Sequence, residues 1–177
     1  KKVSAVNALL GRGHHISAEM QIPRKVCEKH LKTTPEALER LNTNKNLLGG
    51  VLSGSLRTAN AHFANSLLAT YLATGQDAAN IVEGSQGITL VEVIDEDLRF
   101  SISCPNIIVG TVGNGKNLDF VEQALKKVGC LEKRACGMNS ERLARLIGAT
   151  ILCSELSLMA AQNNPGELTR SHMVYER

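Results

Sequence analysis

The 177-residue sequence has no tryptophan, only three phenylalanines and two tyrosines, and only four prolines. So few aromatic rings leave no stacking platform for single-stranded nucleic acid, and a net charge of +3 spread among acids makes no polyanion-binding stripe. No apolar run reaches the ~18 residues of a membrane-spanning helix, and no charged segment followed by a short apolar stretch opens the chain. No membrane segment and no nucleic-acid partner are expected. The five cysteines (Cys27, Cys104, Cys130, Cys136, Cys153) are odd in number and nowhere spaced C-x-x-C, which argues against a disulfide framework and a tetrahedral metal site. They read as reduced, mostly buried thiols of a cytoplasmic protein with no bound metal.

What is present is a composition, 43% hydrophobic and moderately charged, that can bury one sizeable core. The alternation of Ile16, Ala18, Met20 and Ile22 predicts a half-buried strand over His15 to Ile22, ended by Pro23 and followed by a helix from Arg24 to Leu31. Thr34-Pro35-Glu36 supplies a capping oxygen, a preset φ and an acid for a helix that stops near Asn42. The longest helical candidate, rich in alanine and leucine, runs from Ser55 to Asn80 and reads as a central buried helix. Two antiparallel strands, Ile88 to Val93 and Leu98 to Ser103, meet across Asp95-Glu96-Asp97, with Ile107 to Val109 as a third. A helix from Leu118 to Val128 and a long one from Glu141 to Gln162, capped by Asn139 or Ser140, precede a short tail. The fold class is α+β.

Several polar residues stand where chemistry is plausible. Lys45 lies among asparagines and glycines, suited to an anion or simply solvated. His62 and Asn65, three apart on the expected helix, share one face as a polar spot or a satisfied core pair. Asp77 reads as a buried carboxylate with a distant partner, or as the cap of the next helical turn. His172 would act as a proton donor if the tail folded back over a site. The loop Gly110, Thr111, Val112, Gly113, Asn114, Gly115 lacks the spacing of the dinucleotide fingerprint and is by itself a weak phosphate signal.

Six segments change this reading when taken in order: N-x-N-K-N-L from Asn42, N-A-H-x-A-N from Asn60, G-Q-D-A-A from Gly75, G-T-V-G-x-G from Gly110, E-L-S-L-M-A-A from Glu155 and S-H-M from Ser171. Together with Gly11-Arg12-Gly13, they make the chain resemble the hydroxymethylglutaryl-coenzyme A (HMG-CoA) reductases, class I, along its whole length. The resemblance implies the C-terminal part of a large substrate-binding domain over 1–177, built round a long central helix with a small antiparallel sheet. It implies a C-terminal flap at about 165–177 and no cofactor-binding small domain within these residues. The implied reaction is the four-electron, NADPH-dependent reduction of HMG-CoA to mevalonate and coenzyme A in the isoprenoid pathway, by a homodimer or homotetramer.

Residue by residue, the resemblance makes Lys1 the lysine that stabilises the developing oxyanion, Asp77 the aspartate that orients it and His172 the acid for the departing thiolate. Lys2, Lys45 and Asn65 fall at substrate-binding positions, His62 either near the coenzyme A arm or at a structural place, and Gly110, Thr111, Gly113, Asn114 and Gly115 beside the cofactor. The family's E-N-x-x-G segment, with its proton-donating glutamate, and its D-A-M-G-M-N segment do not occur here. Two expectations follow: these 177 residues alone are inactive, or the chain is a noncatalytic coenzyme A binding or assembly module that keeps the reductase fold.

Overall fold

The computed structural model describes residues 4–113 and 115–176. Helix α1 (Ala5–Leu10) is capped by Ser4, whose hydroxyl accepts the Asn7 N–H at 3.1 Å, and ends at Gly11, where φ is positive. Strand β1 (His14–Ile22) follows, then α2 (Arg24–Val26), which widens into a π turn over Cys27–Leu31. Helix α3 (Pro35–Leu41) starts as its sequence dictates, with Thr34 Oγ1 accepting the Ala37 N–H and proline at the first turn. It does not stop near Asn42. It continues as a π turn, Asn42–Leu48, and then as α4 (Gly49–Leu52), because Asn42 and Asn46 point inward and find partners in the core.

The sheet has three antiparallel strands in the order β1-β3-β2, with β2 at Ile88–Ile94 and β3 at Asp97–Ile107. The expected strand at 107–109 is instead the end of a longer β3, and the third strand is β1. Asp95 and Glu96 turn the hairpin with positive φ at both residues, the pairing that matches the right-handed twist of two-residue hairpins. Leu98, Phe100, Ile102 and Cys104 of β3 alternate inward, while Arg99 lies on the outer face between Glu19 and Glu92.

The fold class is α+β, with a small antiparallel sheet as the sequence implies, but the long helix lies elsewhere. Helix α5 covers only Phe63–Ala73. Its expected first two turns are irregular because tertiary acceptors take their backbone donors. Ala59 N–H bonds Gly87 O at 2.9 Å, and the N–H groups of Ala61 and His62 go to the Glu155 carboxylate. At the other end Gly75, in the left-handed region, breaks the helix, and a 3-10 turn (Ala78–Asn80) and α6 (Ile81–Gly84) follow.

Helix α7 (Asp119–Lys127) leads to α8 (Met138–Asn163), the long central helix, which starts after Gly137 in the left-handed region and not at Asn139 or Ser140. Leu143, Ile147, Ile151, Glu155 and Met159 lie at successive turns on its buried face. The helix packs on β1, β3, α3 and α5, and a methyl at Gly148 would overlap Ile16 Cγ2, so helix and strand meet at that glycine. By length and composition α8 is the one helix among the described residues that could cross a membrane, yet here its apolar face forms the domain core. The tail is helical as α9 (Glu167–Tyr175), with Glu167 in its first turn ion-paired to Arg170. Cys27, Cys104 and Cys130 are buried and Cys136 and Cys153 exposed.

Ile151 is fully enclosed at the centre of α8. Ile151→Ala is expected to lower stability by about 2–4 kcal/mol and Ile151→Val by about 1 kcal/mol, read from urea midpoints at unchanged slope; equal effects would place the core elsewhere.

Candidate functional site

Two of the segments that carry candidate residues, those of Lys45 and His62, meet at β2 and α8. Thr89, fully buried on β2, joins them. Its carbonyl accepts from Asn42 Nδ2 at 2.9 Å, and Asn46 Nδ2 in turn donates to Asn42 Oδ1 at 2.9 Å and approaches Met159 Sδ at 3.6 Å. This inward pair pins the π turn and leaves Lys45, between them, exposed. The Thr89 hydroxyl donates to Glu155 Oε1 at 3.0 Å.

Glu155 is 0% exposed and is the residue that sequence reasoning missed. Oε1 accepts the Ala61 N–H, and Oε2 accepts the His62 N–H at 3.0 Å and lies 3.1 Å from His62 Nδ1. A buried carboxylate is tolerated only when its lone pairs are met by donors, and here two backbone groups, a hydroxyl and an imidazole meet them. The signal that could have found it is its spacing, midway between Ile151 and Met159 on a face otherwise apolar. Asn60 completes the turn: its Nδ2 donates to Ser85 O and Gly87 O at 3.1 and 3.0 Å, and its Oδ1 accepts the Phe63 N–H at 3.2 Å.

His62 and Asn65 therefore do not share a face of one long helix. His62 sits at the N-cap of α5, turned onto Glu155, while Asn65 is exposed in the first turn and bonds the His62 carbonyl through its N–H at 3.0 Å. Asp77 is exposed, not buried, and its Oδ1 caps the 3-10 turn by accepting the Ala79 N–H at 3.0 Å. Its neighbour Gln76 grips the glycine-rich loop like a strand partner, with Oε1 accepting the Gly110 N–H at 2.9 Å and Nε2 donating to Gly110 O at 3.0 Å. Lys116 closes the same junction: its ammonium donates to Gly75 O, and burial pushes it below the usual lysine range. The structure thus brings the Asp77 segment against the loop holding Gly110, Thr111, Gly113 and Gly115. Thr111 is buried and Gly113 exposed.

His172 lies on α9, 62% exposed, its Nδ1 2.7 Å from Glu176 Oε1. Lys1, Lys2 and Asn114 fall outside the described residues. Among those described, no cluster of histidine, cysteine and acidic side chains forms a metal site.

The sequence profile of the hydroxymethylglutaryl-coenzyme A reductases matches residues 1–177. The chain belongs to that family. It is 46% identical over 179 residues to the 3-hydroxy-3-methylglutaryl-coenzyme A reductase of Pyrococcus horikoshii, covering 100% of this chain and 43% of that protein. It is 44% identical to 3-hydroxy-3-methylglutaryl-coenzyme A reductase 2 of Arabidopsis thaliana, again over 100% of this chain but 32% of the plant protein. The reductase of Methanothermobacter thermautotrophicus is 43% identical over 172 residues, 97% of this chain and 42% of its own length. The chain thus spans between about a third and under half of the relatives it matches.

Glu155→Ala strands the N–H groups of Ala61 and His62 and the Thr89 hydroxyl, so a loss of at least about 3 kcal/mol is expected by denaturant titration. Burial pushes the Tyr71 phenol, which accepts the Ile108 N–H, from 10.0 up to about 12, and the Cys104 thiol from 9.0 up to about 12. Both are raised above their unfolded values, so their contribution is whole below about pH 9 and is lost as pH rises to about 12. Melting temperatures should fall across that window, less steeply in Tyr71→Phe and Cys104→Ala.

Proposed function

We propose that the chain carries part of the active site of an HMG-CoA reductase, an oxidoreductase that uses two NADPH to convert HMG-CoA to mevalonate and coenzyme A. The family match over all 177 residues carries this reading. Within it Lys1 stabilises the oxyanion as hydride arrives, Asp77 orients that lysine, and His172 protonates the coenzyme A thiolate. Lys2 and Lys45 hold the hydroxymethylglutaryl group, and Asn65 lies at a substrate-binding position within the Asp77 network.

The geometry of the described residues is compatible with these roles. Lys45 presents an exposed ammonium from a turn pinned by two buried asparagines, which suits a carboxylate ligand. Asp77 follows Gly75, whose carbonyl accepts from Lys116, and Gln76, whose side chain bonds Gly110, so its exposed carboxylate stands next to anchored residues. The glycine-rich loop lies against that segment through Gly110 and Lys116, and Gly110, Thr111, Gly113, Asn114 and Gly115 would hold the nicotinamide cofactor, which supplies hydride. His172 is exposed on α9, which follows Pro165-Gly166, and in this reading it moves with that helix as a flap over about 165–177.

The NADPH site is completed by polypeptide outside these 177 residues, which hold neither the E-N-x-x-G nor the D-A-M-G-M-N segment, and the 177 residues alone turn over no substrate. Self-association as a homodimer or homotetramer is supported by apolar side chains left exposed on α1 and around α4, namely Val6, Leu9, Leu10, Val51, Leu52 and Leu56. Arg57 Nη1 ties these two regions by donating to Leu9 O at 2.8 Å.

Expression of the complete reading frame should give NADPH oxidation that depends on HMG-CoA. Lys1→Ala and Asp77→Asn should each lower kcat by at least about a hundredfold. A complete protein that binds coenzyme A without oxidising NADPH would instead favour the noncatalytic module, and an unchanged rate in Lys1→Ala would remove the assigned oxyanion role.

A further inference from the structure

Glu155 holds backbone and strand with three of its contacts and reaches the His62 ring with the fourth. Oε1 takes the Ala61 N–H and the Thr89 hydroxyl, and Oε2 takes the His62 N–H at 3.0 Å while facing His62 Nδ1 at 3.1 Å. Oε1 meets two donors and Oε2 a backbone N–H, the acceptor role of an ionised carboxylate. An acceptor-only carboxylate requires a donor at Nδ1. The opposite tautomer would set a ring lone pair against a carboxylate oxygen inside the core, the unpaired arrangement that burial penalises most.

One carboxylate oxygen holds both the backbone N–H and the ring of the same residue, so the imidazole plane is set as well as its tautomer. The other ring nitrogen, Nε2, makes no hydrogen bond with the described residues and is not among the buried unpaired atoms, and the side chain is 19% exposed. It stands at the start of α5, one turn before the exposed Asn65.

We infer that Glu155 is a positioning residue that holds His62 in the Nδ1–H form, so that the neutral ring presents Nε2 as a hydrogen-bond acceptor for a hydroxyl or amide N–H of the bound acyl-coenzyme A. An unrestrained histidine favours the reverse tautomer, with Nε2 a donor, so the buried carboxylate inverts what the site offers its ligand. The identity of the ligand rests on the reductase reading; the tautomer does not. Thr89 belongs to the same device only indirectly, since it meets Oε1 and not the oxygen that faces the ring.

The test is 15N-histidine labelling of the protein, with His62 assigned by the resonance lost in His62→Gln. With the ring neutral, Nδ1 is expected to give the protonated, pyrrole-type signal and Nε2 the bare, pyridine-type one. The same spectrum is expected in Thr89→Val. A dominant Nε2–H form in the unsubstituted protein overturns the inference, with no need for a Glu155 variant to fold. In the complete reductase, His62→Asn keeps a donor toward Glu155 and removes the outward acceptor, and the KM for HMG-CoA is expected to rise about tenfold. An unchanged KM would overturn the acceptor role. A complete protein without reductase activity would remove the reductase reading and leave the tautomer result standing, whereas an Nε2–H spectrum would do the reverse.

Discussion

A single buried carboxylate governs how the candidate site is assembled. Glu155 lies on the enclosed face of α8 and draws in the backbone of Ala61 and His62, the ring of His62 and the hydroxyl of Thr89. Removing a charge of this kind from water is costly unless donors replace the lost hydration, and four donors from two distant segments do so. The cost and its compensation act together as a constraint: α8, β2 and the entry to α5 must take one relative placement or leave the charge bare. That placement starts α5 at Phe63 and turns the preceding residues into a shaped loop.

Further polar contacts extend the same logic outward. Thr89 passes the constraint through its carbonyl to Asn42, and Asn42 to Asn46, so the turn that displays Lys45 is anchored to the same strand. Asn60 anchors the other side of the loop through Ser85 and Gly87. Beyond α5, Gln76 and Lys116 clasp the Asp77 segment to the glycine-rich loop. In each case an inward side chain is held by backbone or buried partners, and the residue beside it in sequence is left outward. Lys45 beside Asn46, and Asp77 beside Gln76, follow this alternation between anchor and exposed group, which suits sites that must be rigid without being closed.

Much of the fold was legible because its signals are local. The period-two run from Ile16 to Ile22 became β1, Thr34-Pro35-Glu36 started α3, and the Asp95 turn joined β2 to β3, each for reasons contained within a few residues. The expected Ser55 to Asn80 helix shows where locality ends. Its alanines and leucines favour helix, but the donors of residues 59–62 find acceptors near β2 and on α8 that lie far away in sequence, and long-range bonds prevail over propensity. The sequence around Asp77 fits a buried carboxylate or a cap, and the positive φ of Gly75, which ends the helix before it, makes it an exposed cap.

The sequence by itself determined the family, the α+β class and the order in which the candidate residues occur, since motif identity and short-range periodicity need no partner to be read. Tertiary structure alone decided which acidic residue organises the site. Glu155 was visible inside E-L-S-L-M-A-A only as a letter of a motif, because a carboxylate on an apolar helix face acquires its role from donors about ninety residues away in sequence, which only the folded chain brings within hydrogen-bonding distance.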